Sequence, residues 1–223
     1  MLIEFNGSDL RRALRAVSMA ARKDGIHPHL NAVRLGYDAI DASRISAVAT
    51  NGHWMARWVF RETSAVTERR APPEHLVVPL DDVRRILAML GNTPVGELRL
   101  WTKTRGVRHG AQHLRLPEVA IAFPAYQSIV PALSTHDGFS AVGLNPEMMI
   151  AVSRAVLAGA RTKRVHPMVF AFHQAALDPI TVTVEDLPEF SAIVMPCRAE
   201  FATRLRSQLT ATPMRADGQP LPA

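Results

Sequence analysis

Histidine and cysteine are the residues of this 223-residue sequence most suited to nucleophilic, acid–base or metal chemistry. His53 lies in the segment AVATNGHWMARW (47–58), between a glycine and a tryptophan, where an imidazole could act as a general base. No acidic partner lies in that segment to orient the ring. The lone Cys197 falls in an apolar stretch that predicts a buried strand, which favours an inert core cysteine over a nucleophile.

Two histidine pairs have spacings that resemble those of metal ligands. His27-x-His29 flanks Pro28 in a predicted loop, and His109 and His113 fall in a predicted strand–turn–strand, where this spacing does not bring side chains together. A single cysteine excludes a multi-cysteine zinc site, and neither GxxxxGK[ST] nor GxGxxG occurs. We therefore expect no enzyme activity, no cofactor and no metal site.

The composition indicates an ordinary globular protein with a basic surface. Hydrophobic residues make up 48% of the chain and the net charge is +6, which favours a polyanionic partner. No apolar run approaches the roughly 18 residues of a membrane span, and the N-terminus lacks a signal-peptide pattern. A cytoplasmic protein without a membrane partner is expected.

One plan of strand, helix and short strands occurs three times along the chain. Apolar spacing predicts a helix over residues 8–23 with Ser8 as its N-cap, a second over 80–90 closed by Gly91, and a third that begins at Asn145-Pro146. The repeats predict a domain of two units (1–60 and 75–132), a third unit forming a half-domain (138–198), and a partly disordered tail (199–223). The expected fold class is α+β, with helices on one face of antiparallel sheets.

Basic residues recur on the outer faces of the three helices. A solvated helix face usually mixes charges, so three faces of one sign favour contact with nucleic-acid phosphates, which is non-specific and sensitive to salt. The candidate DNA-binding residues are Arg11, Arg12, Arg15, Arg22, Lys23, Arg84, Arg85 and Arg154, with Arg161, Lys163 and Arg164 just beyond the third helix.

Four motifs resemble the bacterial sliding clamp, the β subunit of DNA polymerase III. The segment VATNGHWMAR is similar to the family's VATDGHRLA, and HLVVPLDDVRRILAML, FPAYQSIVP and FSAIVMPCR follow in the family's order. The resemblance covers residues 1 to about 198 and implies a clamp fold, in which helices line a ring around DNA and sheets form its outside.

The resemblance also implies a shallow apolar pocket for short peptides of polymerases and other clamp clients. Matched by motif, the pocket residues are Thr50, Gly52, His53, Trp54, Met55, Pro131, Ile193, Met195, Pro196 and Arg198. Trp54 replaces the family's usual arginine and Cys197 its methionine, so the pocket and its client differ from the family pattern. Methionine-rich apolar surface suits apolar peptide anchors.

These patterns favour a DNA-binding processivity factor or replication accessory that also binds client peptides. One alternative is a peptide-binding decoy or regulator of the host clamp that does not encircle DNA, and another is a small DNA-acting enzyme, against which the lack of an acidic constellation counts. Because the third unit has no partner unit within the chain, we expect a homo-oligomer, either a ring of four chains or an open dimeric arc.

Overall fold

A computed structural model of the chain describes residues 2–23, 26–41, 43–61, 63–66, 75–91, 97–101, 105–117, 122–129, 143–162, 166–172 and 178–197. Pro131, Lys163, Arg164, Arg198 and the predicted tail (199–223) lie outside the described residues.

Twelve strands and three α-helices make up the described residues. The first part of the chain contains β1 (Leu2–Asn6), α1 (Gly7–Val17), β2 (Ala32–Tyr37), β3 (Ile45–Thr50), β4 (Trp54–Val59) and β5 (Thr63–Val66). The second part contains β6 (His75–Pro79), α2 (Leu80–Leu90), β7 (Glu97–Trp101), β8 (Gly106–His109) and β9 (Gln112–Arg115). The third part contains α3 (Pro146–Gly159), β10 (Met168–Ala171), β11 (Ile180–Val184) and β12 (Phe190–Val194). Short 3-10 helices span Ser18–Ala20 and Tyr126–Ile129.

The strands form two antiparallel sheets. One has the order β5-β1-β7-β8-β9 and the other β10-β11-β12-β4-β3-β2-β6. The helices pack against these sheets, with α1 on β3 and β4, α2 on β2 and β6, and α3 on β12 and β4. The expected α+β class, with repeated strand–helix–strand units, is confirmed.

The first two units are joined by an exchange of their first strands. β1 pairs with β7 of the second unit, and β6 pairs with β2 of the first. The registers match: Leu2 lies opposite Trp101 and Asn6 opposite Glu97, as His75 lies opposite Gly36 and Pro79 opposite Ala32. The two units are therefore related by an internal twofold.

The third unit joins the first through a shared sheet. β12 pairs with β4, with Phe190 opposite Trp58 and Ile193 opposite Met55. α3 packs beside α1, and Gly159 approaches so closely that an added Cβ would lie 2.7 Å from Trp58. The third unit is therefore joined to the first by extension of one sheet, and not by the exchange of first strands that joins the first two units.

Alternation along the strands sorts side chains between the helix side of the seven-stranded sheet and its opposite side. On β4, Trp54, Ala56 and Trp58 are buried in the main core with α1, whereas Met55 belongs to a separate buried cluster. Burial of each large side chain stabilises the fold by about 1.5–3 kcal/mol. The first unit's central strands are thus covered on both sides.

The first helix is shorter than its apolar spacing predicted. α1 begins after Asn6, whose side chain accepts a hydrogen bond from the Ser8 N–H, so Asn6 and not Ser8 is the N-cap. The α-helix ends at Val17 and a 3-10 turn follows, so Arg22 and Lys23 lie beyond the helix. The bounds of α2 match the prediction, and Asn145 caps α3 as expected.

The end of the third unit also differs from the prediction. Cys197 follows β12 and is exposed, so it is not a buried core cysteine. Its N–H donates to the Gly143 carbonyl at 2.9 Å in an isolated bridge. Residues 130–142, before this bridge, lie outside the described residues. No helix in the described parts of the chain is long and apolar enough to cross a membrane.

Candidate functional site

The turn between β3 and β4 is held by the side chains of its own residues. Asn51 Oδ1 accepts hydrogen bonds from the N–H groups of His53 and Trp54, at 2.9 and 3.0 Å. Thr50 Oγ1 donates to the Trp54 carbonyl and accepts from the Gly52 N–H. Gly52 has a φ of +90°, a conformation that a residue with a side chain rarely adopts. The segment thus forms a fixed turn that leaves the His53 ring exposed.

The end of β12 is attached to this turn. The Met195 N–H donates to the His53 carbonyl at 2.9 Å, two residues further along each strand than the Ile193–Met55 pair. Residues from the first and third units, far apart in sequence, therefore lie side by side.

A small apolar cluster forms the floor beneath this junction. Val48, Met55, Tyr126 and Ile193 are all at most 4% exposed, and Phe123 packs against them. The Phe123 and Tyr126 rings meet edge to face, with centroids 6.3 Å apart. The segment 122–129 of the second unit is thereby fastened to strands of the first and third, so all three units meet at this point.

A buried carboxylate anchors Tyr126 in that cluster. Asp38 is fully buried and receives two hydrogen bonds from Arg57, from Nε at 2.9 Å and Nη2 at 2.8 Å. Tyr126 Oη donates to Asp38 Oδ2 at 3.4 Å and accepts from the Ala39 N–H at 3.1 Å. Burial alone would raise the pKa of Asp38, but the Arg57 hydrogen bonds and the Asp41 N–H outweigh it and hold that pKa well below its usual value.

Arg34 adds a buried cation next to the tyrosine. Its guanidinium carbon lies 5.8 Å from the centre of the Tyr126 ring, a cation–π arrangement, and the residue is 5% exposed. Burial lowers the pKa of Arg34, with Tyr126 and Asp38 opposing that change. Its Nη1 has no hydrogen-bond partner among the described residues. Asp38, Arg57, Tyr126 and Arg34 therefore form a buried polar group that positions the segment 122–129.

The predicted pocket residues separate by exposure. Gly52 and His53 are exposed, and Met195 and Pro196 are partly exposed, so these four form the accessible rim. Beneath them lie three buried residues, Thr50, Met55 and Ile193.

Trp54 does not belong to this junction. It is 3% exposed and lies in the main core on the other side of the sheet, because alternate residues of a strand point to opposite faces. The prediction that Trp54 lines the pocket is therefore wrong. Pro131 and Arg198 lie outside the described residues.

The structure assigns one candidate DNA-binding residue a packing role instead. Arg12 Nε donates to the Gly159 carbonyl at 2.7 Å, its Nη1 bonds to Asp9 at 3.1 Å, and its guanidinium lies 5.0 Å from the Trp58 ring centre. Desolvation, the largest effect, and the nearby Arg161 lower the pKa of Arg12, while Asp9 opposes the change. Arg12 connects α1 to α3 and is not a free phosphate contact.

The other helix cations are more accessible. Arg15, Arg84, Arg85 and Arg154 are exposed, and Arg11 is partly exposed with its Nη1 2.7 Å from the Gly91 carbonyl. Beyond α1, Lys23 is exposed and Arg22 is partly exposed.

Acidic residues in the first turns offset part of this charge. Arg84 is paired with Asp81 at 2.6 Å and Arg85 with Asp82 at 2.8 Å. α1 carries three arginines against one aspartate, but α2 carries two of each, and Arg154 is the single cation of α3 against Glu147. The surplus of positive charge is thus concentrated on α1, not spread evenly over three helices.

Sequence reasoning missed the buried polar group beneath the junction. Tyr126 stands in the quoted motif FPAYQSIVP, but nothing in the sequence indicated its partner. Alternation along β4 places Arg57 on the face of the sheet opposite Trp54, Ala56 and Trp58. The sequence therefore indicated a cation on that opposite face. Asp38 precedes a polar turn, and an aspartate in such a position is usually interpreted as a solvent-exposed turn residue.

No family model and no curated protein matches this sequence. Among solved structures, the chain is similar to the DNA polymerase III β subunit of Thermotoga maritima, with a TM-score of 0.66 and 16% identity over 89% of this chain and 66% of that one. It is similar to the sliding clamp of Pseudomonas aeruginosa bound to griselimycin, with a TM-score of 0.67, 16% identity and the same coverage. It also resembles the β subunit of Borrelia burgdorferi in complex with a natural product, with a TM-score of 0.66, 13% identity, and 88% and 64% coverage.

The likeness covers 88–89% of this chain, whereas the chain spans about two thirds of the length of these clamps. The identities are low, so what is shared is the three-dimensional arrangement of the repeated units. The chain has the fold of the bacterial DNA polymerase III sliding clamp.

Proposed function

We propose that this protein is a non-enzymatic, clamp-like replication accessory that binds a client peptide at the junction of β4 and β12 and contacts duplex DNA through α1. One observation carries the proposal: Met195, His53 and Met55 come together at that junction over a buried apolar floor. This is the position at which the resemblance to the clamp family implies a client pocket.

The chemistry of the junction suits a short peptide with apolar anchors. Met195 and Pro196 offer partly exposed apolar surface beside the exposed Gly52, while Met55 and Ile193 lie underneath. Methionine side chains adapt their shape to different apolar partners, so such a rim accepts related sequences. The buried polar group around Asp38 keeps the floor in place, and a pre-organised site reduces the ordering cost of binding.

Contact with DNA is the second part of the proposal and centres on α1 and the residues after it. Arg11, Arg15, Arg22 and Lys23 supply the cations, and Arg84, Arg85 and Arg154 extend the surface with partly compensated charge. Phosphate contacts of this kind do not read sequence. If one cytoplasmic assembly both binds the client peptide and contacts DNA, we propose that it acts as a processivity factor.

The alternative is a regulator that occupies client peptides without encircling DNA. The concentration of surplus positive charge on a single helix favours this alternative more than three basic faces would. The two functions share the peptide site and differ in whether removal of the α1 arginines abolishes activity in replication.

A peptide titration tests the site. Met195→Ala should weaken the binding of a fluorescent clamp-client peptide, containing glutamine and apolar anchors, by about tenfold, because the methyl thioether supplies buried contact area. Fluorescence anisotropy measures the affinity, and Met19→Ala, at an exposed methionine in the 3-10 turn after α1, is the matched control.

Equal affinities of the Met195→Ala and Met19→Ala variants would show that the peptide does not use this junction. Pro131→Ala tests the contribution that the clamp resemblance assigns to the second unit. Both pocket variants should leave DNA affinity unchanged.

A further inference from the structure

One stretch of the second unit is as rich in positive charge as α1 and the residues after it. Between Glu97 and Glu118 the sequence has five cations and no acidic residue. The basic residues of this stretch are Arg99, Lys103, Arg105, Arg108 and Arg115, with His109 and His113 among them. It contains β7, β8 and β9, three neighbouring strands of the five-stranded sheet, and Lys103 lies outside the described residues. A sheet therefore carries a second concentration of positive charge.

Alternation along the strands places four of these basic residues on one face of the sheet. Ile3, Leu100 and Val107 lie side by side in the register and are at most 1% exposed, so their face belongs to the core. The residues that alternate with them lie on the opposite face, which we call the outer sheet face. Its exposed basic residues are Arg99, Arg108, His113 and Arg115.

Three residues of the outer sheet face form a row across the strands. Arg99 of β7 lies directly opposite Arg108 of β8, which in turn lies opposite His113 of β9. Neighbouring strands are about 4.8 Å apart, so the row is about 10 Å long. Arg115 lies opposite Gly106, two residues further along β9 than His113. Like charges directly opposite each other in a sheet lower its stability, so the Arg99–Arg108 pair is unfavourable unless an anion lies over it.

Carboxylates of the described residues neutralise only the first arginine of the row. Arg99 Nε lies 2.9 Å from Glu4 Oε1 on β1, the neighbour of β7 on the side away from Arg108. Arg108 Nε donates to the Gly110 carbonyl at 3.0 Å, which fixes the guanidinium at the hairpin turn without neutralising it. Neither Arg108 nor Arg115 forms a salt bridge with another described residue. These two cations are available to an anionic partner.

The side chains of this face fit a partner that has many negative charges and needs no apolar anchor. Among the side chains that the structure describes, no large exposed apolar one belongs to β7, β8 or β9. Interfaces between proteins usually have an apolar centre, whereas interfaces with nucleic acid are more polar and strongly positive. A guanidinium also pairs with phosphate through two parallel N–H bonds. The phosphodiester backbone of a nucleic acid is therefore the partner that these residues favour over an acidic protein.

We infer that the outer sheet face is a second contact surface for nucleic acid, which binds the phosphodiester backbone without reading the bases. Arg108 and Arg115 supply the phosphate contacts, and Arg99 and His113 flank Arg108 in the row. This surface is separate from the duplex contact proposed for α1. The core face of the sheet contacts α1 through β1 and α2 through β8, so the outer sheet face is turned away from the helices.

Salt titration of DNA binding in a chain that lacks the α1 arginines tests the outer sheet face. The full chain with Arg11→Ala and Arg15→Ala should still bind labelled DNA, with an affinity that falls as salt rises. Adding Arg108→Ala and Arg115→Ala should reduce the slope of log affinity against log salt by about 2 on a duplex, or by about 1.4 on a single strand. Each lost phosphate contact contributes about 0.9 or about 0.7 to these slopes. The form of DNA that loses more affinity is the one that this face binds.

Two controls separate the location of the charges from net charge and from folding. Arg44→Ala with Arg61→Ala, in the same background, removes two exposed arginines elsewhere and should leave the slope unchanged. Arg108→Glu should lower DNA affinity but raise the melting temperature, because a glutamate opposite Arg99 replaces repulsion by attraction. Its loss of binding then does not come from unfolding.

A slope that Arg108→Ala and Arg115→Ala leave unchanged on both forms of DNA would overturn the inference. An equal reduction by the Arg44→Ala and Arg61→Ala control would also overturn it, because net charge and not this face would then set the affinity. A polyglutamate peptide tests the other class of partner. If the Arg108→Ala and Arg115→Ala substitutions weaken its binding and leave DNA binding intact, the face binds acidic protein and the inference is wrong.

Discussion

Asp38 is a fully buried carboxylate whose charge is maintained by its neighbours. Arg57 donates two hydrogen bonds to it, and Tyr126 reaches it from the segment that covers the apolar floor. Removal of the carboxylate from a buried ion pair leaves the arginine cation desolvated and without its partner. Protein stability then falls by more than the intact pair contributes to it. The stability of the fold and the geometry of the proposed peptide site therefore depend on the same side chain.

Asp38→Asn should lower the free energy of unfolding at pH 7 by about 3–5 kcal/mol. Because the folded-state pKa of Asp38 is lower than its unfolded value of about 3.9, its contribution is complete above that value and is lost as pH falls below about 4. Urea unfolding of both proteins from pH 7 to pH 3 should show a smaller decrease in stability for the variant.

Asp81→Asn is the control for the pH series, because Asp81 is a highly exposed partner of Arg84. It should reproduce the pH dependence of the wild-type chain. If Asp38→Asn instead shows the wild-type slope below pH 4, the buried pair does not cause the acid sensitivity.

At the scale of the elements, sequence patterns predicted those helix ends that are determined by local interactions such as capping and apolar spacing. The bounds of α2 followed from apolar spacing and Gly91, and the Asn145-Pro146 start of α3 followed from capping preferences. Helix one was predicted too long because apolar Ala21 continues the helical spacing of Val17, although a 3-10 turn over Ser18–Ala20 separates the two residues. The pairing of β12 with β4 was not predicted, because no local pattern specifies which distant edge a strand joins.

Gly159 shows how closely α3 approaches the first unit. Gly159→Ala should lower the free energy of unfolding by about 1–3 kcal/mol, because its new Cβ would lie 2.7 Å from Trp58 and 3.3 Å from the Ala16 Cβ. Replacement of a helical glycine by alanine ordinarily stabilises the helix. The sign of the change in the free energy of unfolding therefore distinguishes a packing clash from helix propensity. Thermal unfolding followed by tryptophan fluorescence measures the change.

Ala88→Gly on the exposed side of α2 gives the magnitude of helix propensity alone, about 0.5–1 kcal/mol. A stabilised Gly159→Ala protein would mean that α3 is not held against α1 at this distance.

At the scale of the whole molecule, the distribution of charge determines where the proposed contact with DNA would lie. The surplus on α1 predicts weak binding to any duplex, with an affinity that falls as salt rises, because each phosphate contact releases counterions. Contact with α2 and α3 should contribute less, since their arginines have acidic residues in the same helix.

Arg11→Ala combined with Arg15→Ala should reduce the slope of log affinity against log salt by about 2, close to 0.9 for each lost contact. Affinities for two unrelated duplexes, measured by anisotropy between 50 and about 200 mM salt, should change in parallel. Arg44→Ala, at an exposed arginine between β2 and β3, should keep the wild-type slope. A slope unaltered by the α1 substitutions would place the DNA contact elsewhere.

The pairing of β12 with β4 has a consequence for synthesis of the chain. Met55 emerges from the ribosome early, whereas Ile193, its partner in the sheet, is among the last described residues to appear. Domains fold as they emerge, and contacts between distant segments form slowly. The first two units can therefore fold while translation continues, with the edge of β4 open. The junction of β4 and β12 is completed only after almost the whole described chain has been made, so a truncated product would retain the helix arginines of α1 but lack the junction.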